Sequence, residues 1–245
     1  MHLYFIRHAQ SENNLLWART GSHEGRDEDP NITPVGRQQA QALARFLREQ
    51  GEQDGGLEAL MMDYNPQDVR GFGLTHLYCS LMIRAIETGR VVARALNLPL
   101  VAWPGVHETG GIHLRDPGTG EHLGLPGRGR SFFEAHYPEL ELPDSVGEEG
   151  WWNRPFEEYE QRRGRAQRFL DELAERHGGT EDRVAVISHG GFYNHVMRCL
   201  LRMPEDYGRW FSMNNTAITR IDFDVDTTWI HYTNRCDFLP AELIT

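Results

Sequence analysis

The sequence predicts an α/β protein: a three-layer sandwich with a mostly parallel central sheet, helices on both faces and an inserted cap region. Three observations carry this. Short β-prone runs alternate with amphipathic helical stretches over most of the 245 residues, the rhythm that builds a parallel sheet. The run Arg183 to Ser188, RVAVIS, is continuously apolar at its centre, as in a strand covered on both faces. Two of the runs end in a polar residue followed by histidine, Arg7-His8 and Ser188-His189, and open parallel sheets bind ligands at the carboxyl ends of their strands.

The elements follow in order within one domain, residues 1 to 245, with insertions at about 51–73 and 104–150. His2 to Arg7 is a buried strand that stops where polar residues begin. Thr33 caps a helix with Pro34 in its first position, and Ala40, Leu43, Ala44 and Leu47 repeat at helical spacing until Gly51. Residues 51–73 mix Gly, Asp, Gln and Pro and read as an excursion from the main fold. Thr75 to Cys79 resumes the sheet, with Cys79 as a buried apolar residue. Leu81 to Leu96 keeps helical periodicity, Asn97-Leu98-Pro99 stops it, and a short strand runs from Leu100 to Trp103. Residues 104–150 are too long for a plain connection and are expected to form a cap, with Phe132, Phe133, Tyr137, Trp151 and Trp152 as its own small core. A helix from Phe156 to His177, the strand at 183–188, a helix from about Phe192 to Leu201, and strands near 217–223 and 228–232 complete the chain.

Composition removes several classes of function. Acidic side chains outnumber basic ones 36 to 25, for a net charge of −11, and every basic residue is arginine. Without lysine there is no Schiff-base chemistry and no Walker-type P-loop, so phosphate chemistry must run through arginine. The acidic balance counts against a nucleic-acid binder. No run approaches the roughly 20 apolar residues of a membrane span, and Arg7 and His8 break the apolar opening that a secretory signal would need. Three cysteines, far apart and without a CxxC pair, suggest neither a disulfide framework nor a zinc ribbon. A cytoplasmic setting is expected. His107, His113 and His122 with Glu121 match no standard metal spacing, and Gly118-Thr119-Gly120 does not open a helix after a strand, as a dinucleotide fingerprint does. Neither metal nor cofactor is expected, and the oligomeric state is not readable.

The residues that carry chemistry are the two histidines at strand ends. Imidazoles facing each other across one pocket suit a phosphoryl group: a neutral ring attacks phosphorus while cations stabilise the equatorial oxygens. Arg7 adjoins His8, and Arg84 falls in the first turn of the helix after Ser80, where a planar guanidinium can grip phosphoryl oxygens in bidentate fashion.

Arg7-His8-Ala9-Gln10-Ser11 resembles the Arg-His-Gly-x-Ser/Thr signature of the histidine phosphatase superfamily, which includes the cofactor-dependent phosphoglycerate mutases; Ala9 stands in place of the usual glycine. Thr33 to Ala40 is similar to the Thr/Ser-x-x-Gly-x-x-Gln-Ala helix start, Ser80 to Thr88 to the Ser-x-x-x-Arg-Ala-x-x-Thr element, and Ser188 to Gly191 to the second histidine motif. The resemblance implies that His8 is the nucleophile that becomes phosphohistidine, with Arg7, Arg84 and His189 completing the phosphate pocket. It implies further polar substrate contacts from Asn14 and Thr20, and a general acid at Glu108.

The implied function is a metal-independent phosphomonoesterase acting through phosphohistidine on a small phosphorylated substrate. A mutase is the first alternative, differing in that it must keep water from the intermediate. A binding protein that holds a phosphate ligand without turnover is the second.

Overall fold

A computed structural model describes residues 1–49, 67–68, 71–204 and 208–245. The expected excursion at 51–73, and the helix stop at Gly51, lie largely outside these residues.

Nine strands and six helices are named in chain order: β1 His2–Arg7, α1 Glu12–Thr20, α2 Pro34–Arg48, β2 His76–Cys79, α3 Ile83–Leu96, β3 Leu100–Ala102, β4 His113–Arg115, β5 His122–Gly124, α4 Arg130–His136, β6 Leu140–Glu141, α5 Tyr159–His177, β7 Arg183–Ser188, α6 Gly190–Leu200, β8 Ile218–Phe223 and β9 Thr228–Arg235. The central sheet has seven strands in the order β6-β3-β2-β7-β1-β8-β9. Pairing is parallel from β6 through β1, and β8 and β9 add an antiparallel edge. The mostly parallel sheet is thus as expected, with β1 and β7 at its centre.

Burial explains the strand choices. Leu3, Tyr4, Phe5 and Ile6 of β1 are all inaccessible, as are Val184 to Ile187 of β7, because helices cover both faces. Tyr4 and Ile6 join one apolar cluster with Leu43, Leu77 and Ile86; Leu3 and Phe5 join the other with Phe169, Phe192 and Val196. Alternate residues of one strand thus feed opposite layers, as the period-2 geometry of a strand requires.

Helix starts are set by local polar chemistry. Thr33 Oγ1 accepts the Gly36 N–H at 2.9 Å, with Pro34 in the first turn. Gly36 is also where α2 meets the segment after β1, since a Cβ there would overlap the Gln10 carbonyl oxygen. Two starts differ from the sequence expectation. Helix α5 begins at Tyr159 rather than Phe156 because Glu158 and Gln161 form a reciprocal cap, which frees Phe156 to pack elsewhere. Helix α6 begins at Gly190, directly after His189, so the histidine itself occupies the cap position.

Helix α1 is one of the elements that apolar periodicity missed, as are α4 and the short strands β4, β5 and β6. It buries no residue, so it shows no apolar stripe; reciprocal bonds between Ser11 and Asn14 start it.

The aromatic residues in and beside the 104–150 segment correct the expectation that they form a small core of their own. The segment's strand β6 pairs with β3 at the edge of the main sheet. Phe133, Tyr137, Trp151 and Trp152 belong to the same apolar cluster as Tyr4 and Ile6, and Phe132 packs against it. The aromatic residues therefore extend the principal core.

Candidate active site

The register of two strands assembles the site. Parallel pairing aligns Arg7 with Ser188, so His8 and His189, each one residue further, emerge side by side with ring centroids 5.0 Å apart. The pairing of Cys79 with Ile187 brings Ser80 to the same level. Its hydroxyl lies 2.6 Å from His189 Nε2.

His8 is held in one tautomer. Its Nδ1 lies 2.7 Å from the Ala9 carbonyl oxygen, an acceptor only, so Nδ1 carries the proton. Nε2 then keeps its lone pair, and Arg84 Nε–H donates to it at 3.2 Å. Burial, followed by the Arg84 and Arg7 charges, holds this imidazole far below the usual histidine range. At neutral pH it is an uncharged base with a directed lone pair. Asn215 supports the loop by donating from Nδ2 to the His8 carbonyl oxygen at 2.9 Å and to Asn14 Oδ1 at 3.2 Å.

The Arg84 and Arg7 guanidinium groups act on the ring, Arg26 lies elsewhere on the same cavity wall, and burial lowers the pKa of each. Arg7 donates to the Met213 carbonyl oxygen, and its Nε is buried without a partner. Arg84 NH1 lies 3.8 Å from Asp29 Oδ1. Burial raises the Asp29 carboxyl to about 7, against the opposing pull of Arg84.

Glu108 reaches the site from the segment after β3. Its Oε1 accepts the N–H groups of Thr109 and Phe192 at 2.7 and 3.0 Å, and Oε2 accepts that of Gly191 at 3.1 Å. The carboxyl group thus sits on the N-terminus of α6 and takes up two of the N–H groups that the helix leaves free. Gly191 permits the approach, because a Cβ there would overlap Glu108 Oε1. The preceding backbone is clamped by Ser188 Oγ, which donates to the Val106 carbonyl oxygen at 2.7 Å. Arg165 adds bonds to the carbonyl oxygens of Gly105 and His107.

Arg7, His8, Arg84 and Glu108 line a cavity of about 420 Å³ together with Ser11, Asn13, Asn14, Trp17, His23, Arg26, Thr109, His113, Phe156 and Arg162. Of the seven residues read from the sequence, Arg7, His8, Asn14, Arg84 and Glu108 lie on its wall. Asn14 spends Oδ1 on Ser11 and Asn215, which leaves its Nδ2 to donate into the cavity. His189 is fully buried behind His8, with Nδ1 lacking a partner. Thr20 is a correction: it is exposed at the end of α1, off the cavity wall, and its hydroxyl donates to the Leu16 and Ser22 carbonyl oxygens. The last turn of α1 leads it away from the strand ends.

Arg26, Arg162, Asn215, Ser80 and Asp29 were not found from the sequence. Only Ser80 lay within a motif; the others reach the site through long-range folding. The His107, His113, His122 and Glu121 grouping does not assemble: His107 packs on Trp151 and Trp152, whereas His113 and His122 pack on Phe156. Among the described residues the group close enough to share a metal is His76, His177 and Asp182. It lies at the opposite end of the strands, where His177 is already bonded to Tyr78 and Asp182.

An arginine-lined cavity at the strand ends of a parallel sheet, with a neutral imidazole at its base, defines an enzyme that handles phosphoryl groups. The sequence profile of the histidine phosphatase superfamily (branch 1) matches residues 3–54 and 65–235, and the chain belongs to that superfamily. No curated protein sequence matches it. Among solved structures it is similar to a phosphoserine phosphatase variant from Entamoeba histolytica in complex with phosphoserine, at 21% identity and a TM-score of 0.58 over 98% of this chain and 99% of that one. A mycobacterial glucosyl-3-phosphoglycerate phosphatase with VO3 shows 17% identity and a TM-score of 0.59 over 96% and 99%. A putative alpha-ribazole-5'-P phosphatase from Escherichia coli shows 19% and 0.59 over 96% of each chain. The fold is shared, and the chain is an enzyme of the phosphoric monoester hydrolase type. Among the described residues no helix is long and apolar enough to cross a membrane.

Proposed function

We propose that the chain is a metal-independent phosphomonoesterase that works through a phosphohistidine at His8, on a small phosphorylated substrate. The observation that carries this reading is the His8 ring itself: Nδ1–H bonded to Ala9, and the Nε2 lone pair turned toward Arg84.

In the first step Nε2 attacks phosphorus in line with the leaving oxygen, forming the N–P bond as the P–O bond breaks. Arg7, Arg84 and Asn14 hold the phosphoryl oxygens, whose charge spreads in the transition state. Glu108, the one carboxyl group on the cavity wall among the described residues, hands a proton to the departing alkoxide. In the second step it takes a proton from the water that attacks the phosphohistidine, and inorganic phosphate leaves with His8 neutral again. His189, bonded to Ser80, packs against His8 and keeps its ring in place.

Access of water favours hydrolysis over return of the phosphoryl group to substrate. The cavity shares Trp17, His23 and Arg26 with a second groove of about 890 Å³, so solvent can reach the intermediate from the leaving-group side. Rapid quench with a 32P-labelled phosphomonoester tests the reading. Acid-labile, base-stable label is expected on the wild type and not on His8→Ala; label that persists in the variant overturns it.

A further inference from the structure

We infer that His76, His177 and Asp182 form a binding site for a divalent transition-metal ion, represented by Zn2+, at the end of the sheet away from the histidine cavity. The ion clasps the end of α5 to the starts of β2 and β7.

Three segments meet there. His177 is the last residue of α5, His76 is the first of β2, and Asp182 immediately precedes β7. The sheet fixes two of the backbones: His76 pairs with Val184, and the Asp182 carbonyl oxygen accepts the His2 N–H at 2.7 Å. Thr180 ties the turn between α5 and β7, because its hydroxyl donates to the His177 carbonyl oxygen at 2.7 Å and accepts the Asp182 N–H at 3.1 Å. Gly179, at φ 71°, gives that turn its left-handed step. The side chains converge as a result, with one ligand atom from each residue within 4.8 Å of the other two.

Spacing and donor type fit a metal. His177 Nδ1 lies 2.8 Å from Asp182 Oδ2, and His76 Nδ1 lies 3.9 Å from Asp182 Oδ1. Tetrahedral bonds of about 2.0–2.1 Å put ligand atoms about 3.3 Å apart, between those two separations. The His76 and Asp182 side chains are partly exposed, at 40% and 28%, so small rotations close the set and water fills the fourth position. Two imidazoles and a carboxylate suit Zn2+ and its neighbours, whereas Mg2+ and Ca2+ take oxygen ligands.

Charge favours a cation at this point. Among the described residues Asp182 forms ion pairs with the two imidazoles and none with arginine, although all 25 basic residues of the chain are arginine. Arg176, beside His177 in sequence, turns onto the Trp103 ring at 4.0 Å and to Glu172.

Ligation strands no polar group. In the free site His177 Nδ1–H donates to Asp182, and Nε2 accepts from the Tyr78 hydroxyl 3.1 Å away. With an ion on Nδ1 the ring carries its proton on Nε2, and the Tyr78 oxygen accepts it; this is the outer hydrogen bond that orients metal-ligating histidines. Thr75 Oγ1, 2.9 Å from His76 Nδ1, has the Arg183 carbonyl oxygen at 3.3 Å as its other acceptor. His189 stands seven positions beyond Asp182, roughly 20 Å along an extended strand. The ion therefore takes no part in the phosphoryl step, and the inference stands apart from the phosphomonoesterase reading.

The test strips the full-length protein with EDTA, removes the chelator, and titrates Zn2+ by calorimetry into the wild type, His76→Ala and Asp182→Asn. Asparagine keeps an acceptor for His177, so the second variant retains the hydrogen bond that ends α5. The wild type is expected to bind one Zn2+, with no response to Mg2+, and each variant to bind it at least about tenfold more weakly. At about 100 times the Kd, Zn2+ should raise the wild-type Tm by about 5 °C or more and leave the variants unchanged. Co2+ in the same place should show visible d–d absorption without a thiolate charge-transfer band. Absence of Zn2+ binding in the wild type overturns the site, as does binding that survives in both variants. A thiolate band also overturns it, by placing the ion on a cysteine such as the partly exposed Cys236. Hydrolysis of p-nitrophenyl phosphate should agree within about twofold between stripped enzyme and enzyme loaded with one equivalent. Inhibition in step with occupancy places the ion at His8 and overturns the site.

Discussion

Replacing Arg84 by lysine keeps a cation in the pocket but removes the planar fork. In the folded enzyme Arg84 Nε donates to His8 Nε2 at 3.2 Å while NH1 faces Asp29 at 3.8 Å. One guanidinium therefore aims the nucleophile and holds a buried carboxyl group, with further N–H groups for phosphoryl oxygens. A single ammonium nitrogen on a different stem can fill at most one of these places. Each charge-assisted bond lost to the phosphoryl group in the transition state is worth about 1.5–3 kcal/mol. At 1.36 kcal/mol per decade, loss of one lowers kcat/KM by about 10- to 150-fold. The assay is steady-state hydrolysis of p-nitrophenyl phosphate, with urea unfolding measured alongside. Lysine retains a charge near Asp29, so the variant should stay folded. A folded Arg84→Lys enzyme with kcat/KM within about twofold of the wild type would refute the reasoning.

Three further outcomes are expected. Glu108→Gln should slow an alkyl phosphate much more than p-nitrophenyl phosphate, whose leaving group departs without a proton; Gly191→Ala, which pushes a Cβ onto Glu108 Oε1, should show the same asymmetry, and equal slowing of both substrates places the acid elsewhere. Activity should survive exhaustive chelation, since arginine supplies the cationic groups that metals bring to other phosphatases; loss with EDTA and recovery with zinc or magnesium would contradict this. Stability should fall below about pH 6.5. Burial holds His8, His107 and His189 far below the usual histidine range and takes His113 and His195 to about 4. The unfolded chain protonates these rings near their ordinary pKa of about 6.5, so the stability is full above that value and is lost as the pH falls toward the folded-state values. The slope is about 1.4 kcal/mol per pH unit for each such ring. Asp29, raised to about 7, acts in the opposite sense as a single group. A urea midpoint that does not change between about pH 7.5 and about pH 5 would count against buried neutral histidines.

Much of this molecule is written in short-range patterns. The strands at 2–7 and 183–188 follow from unbroken apolar runs, and α2 and α3 from apolar spacing, with a Thr33-Pro34 start for the first. Arg7, His8 and Arg84 were readable because each stands at or beside a strand end or a helix start, where parallel sheets gather their chemistry, whereas Glu108 was named only through the family resemblance. Patterns of that range do not say which strands become neighbours. Register brought His8 against His189 and Ser80, and it also buried His189 behind the cavity wall. Helix α1 escaped because a helix that buries nothing needs no apolar stripe. The cap merged with the main core because Trp151 and Trp152 found apolar partners across the chain. Thr20 left the site and Arg26, Arg162 and Asn215 entered it for one shared cause: where a side chain ends up depends on contacts between distant segments, and such contacts leave no mark in the local sequence around either partner.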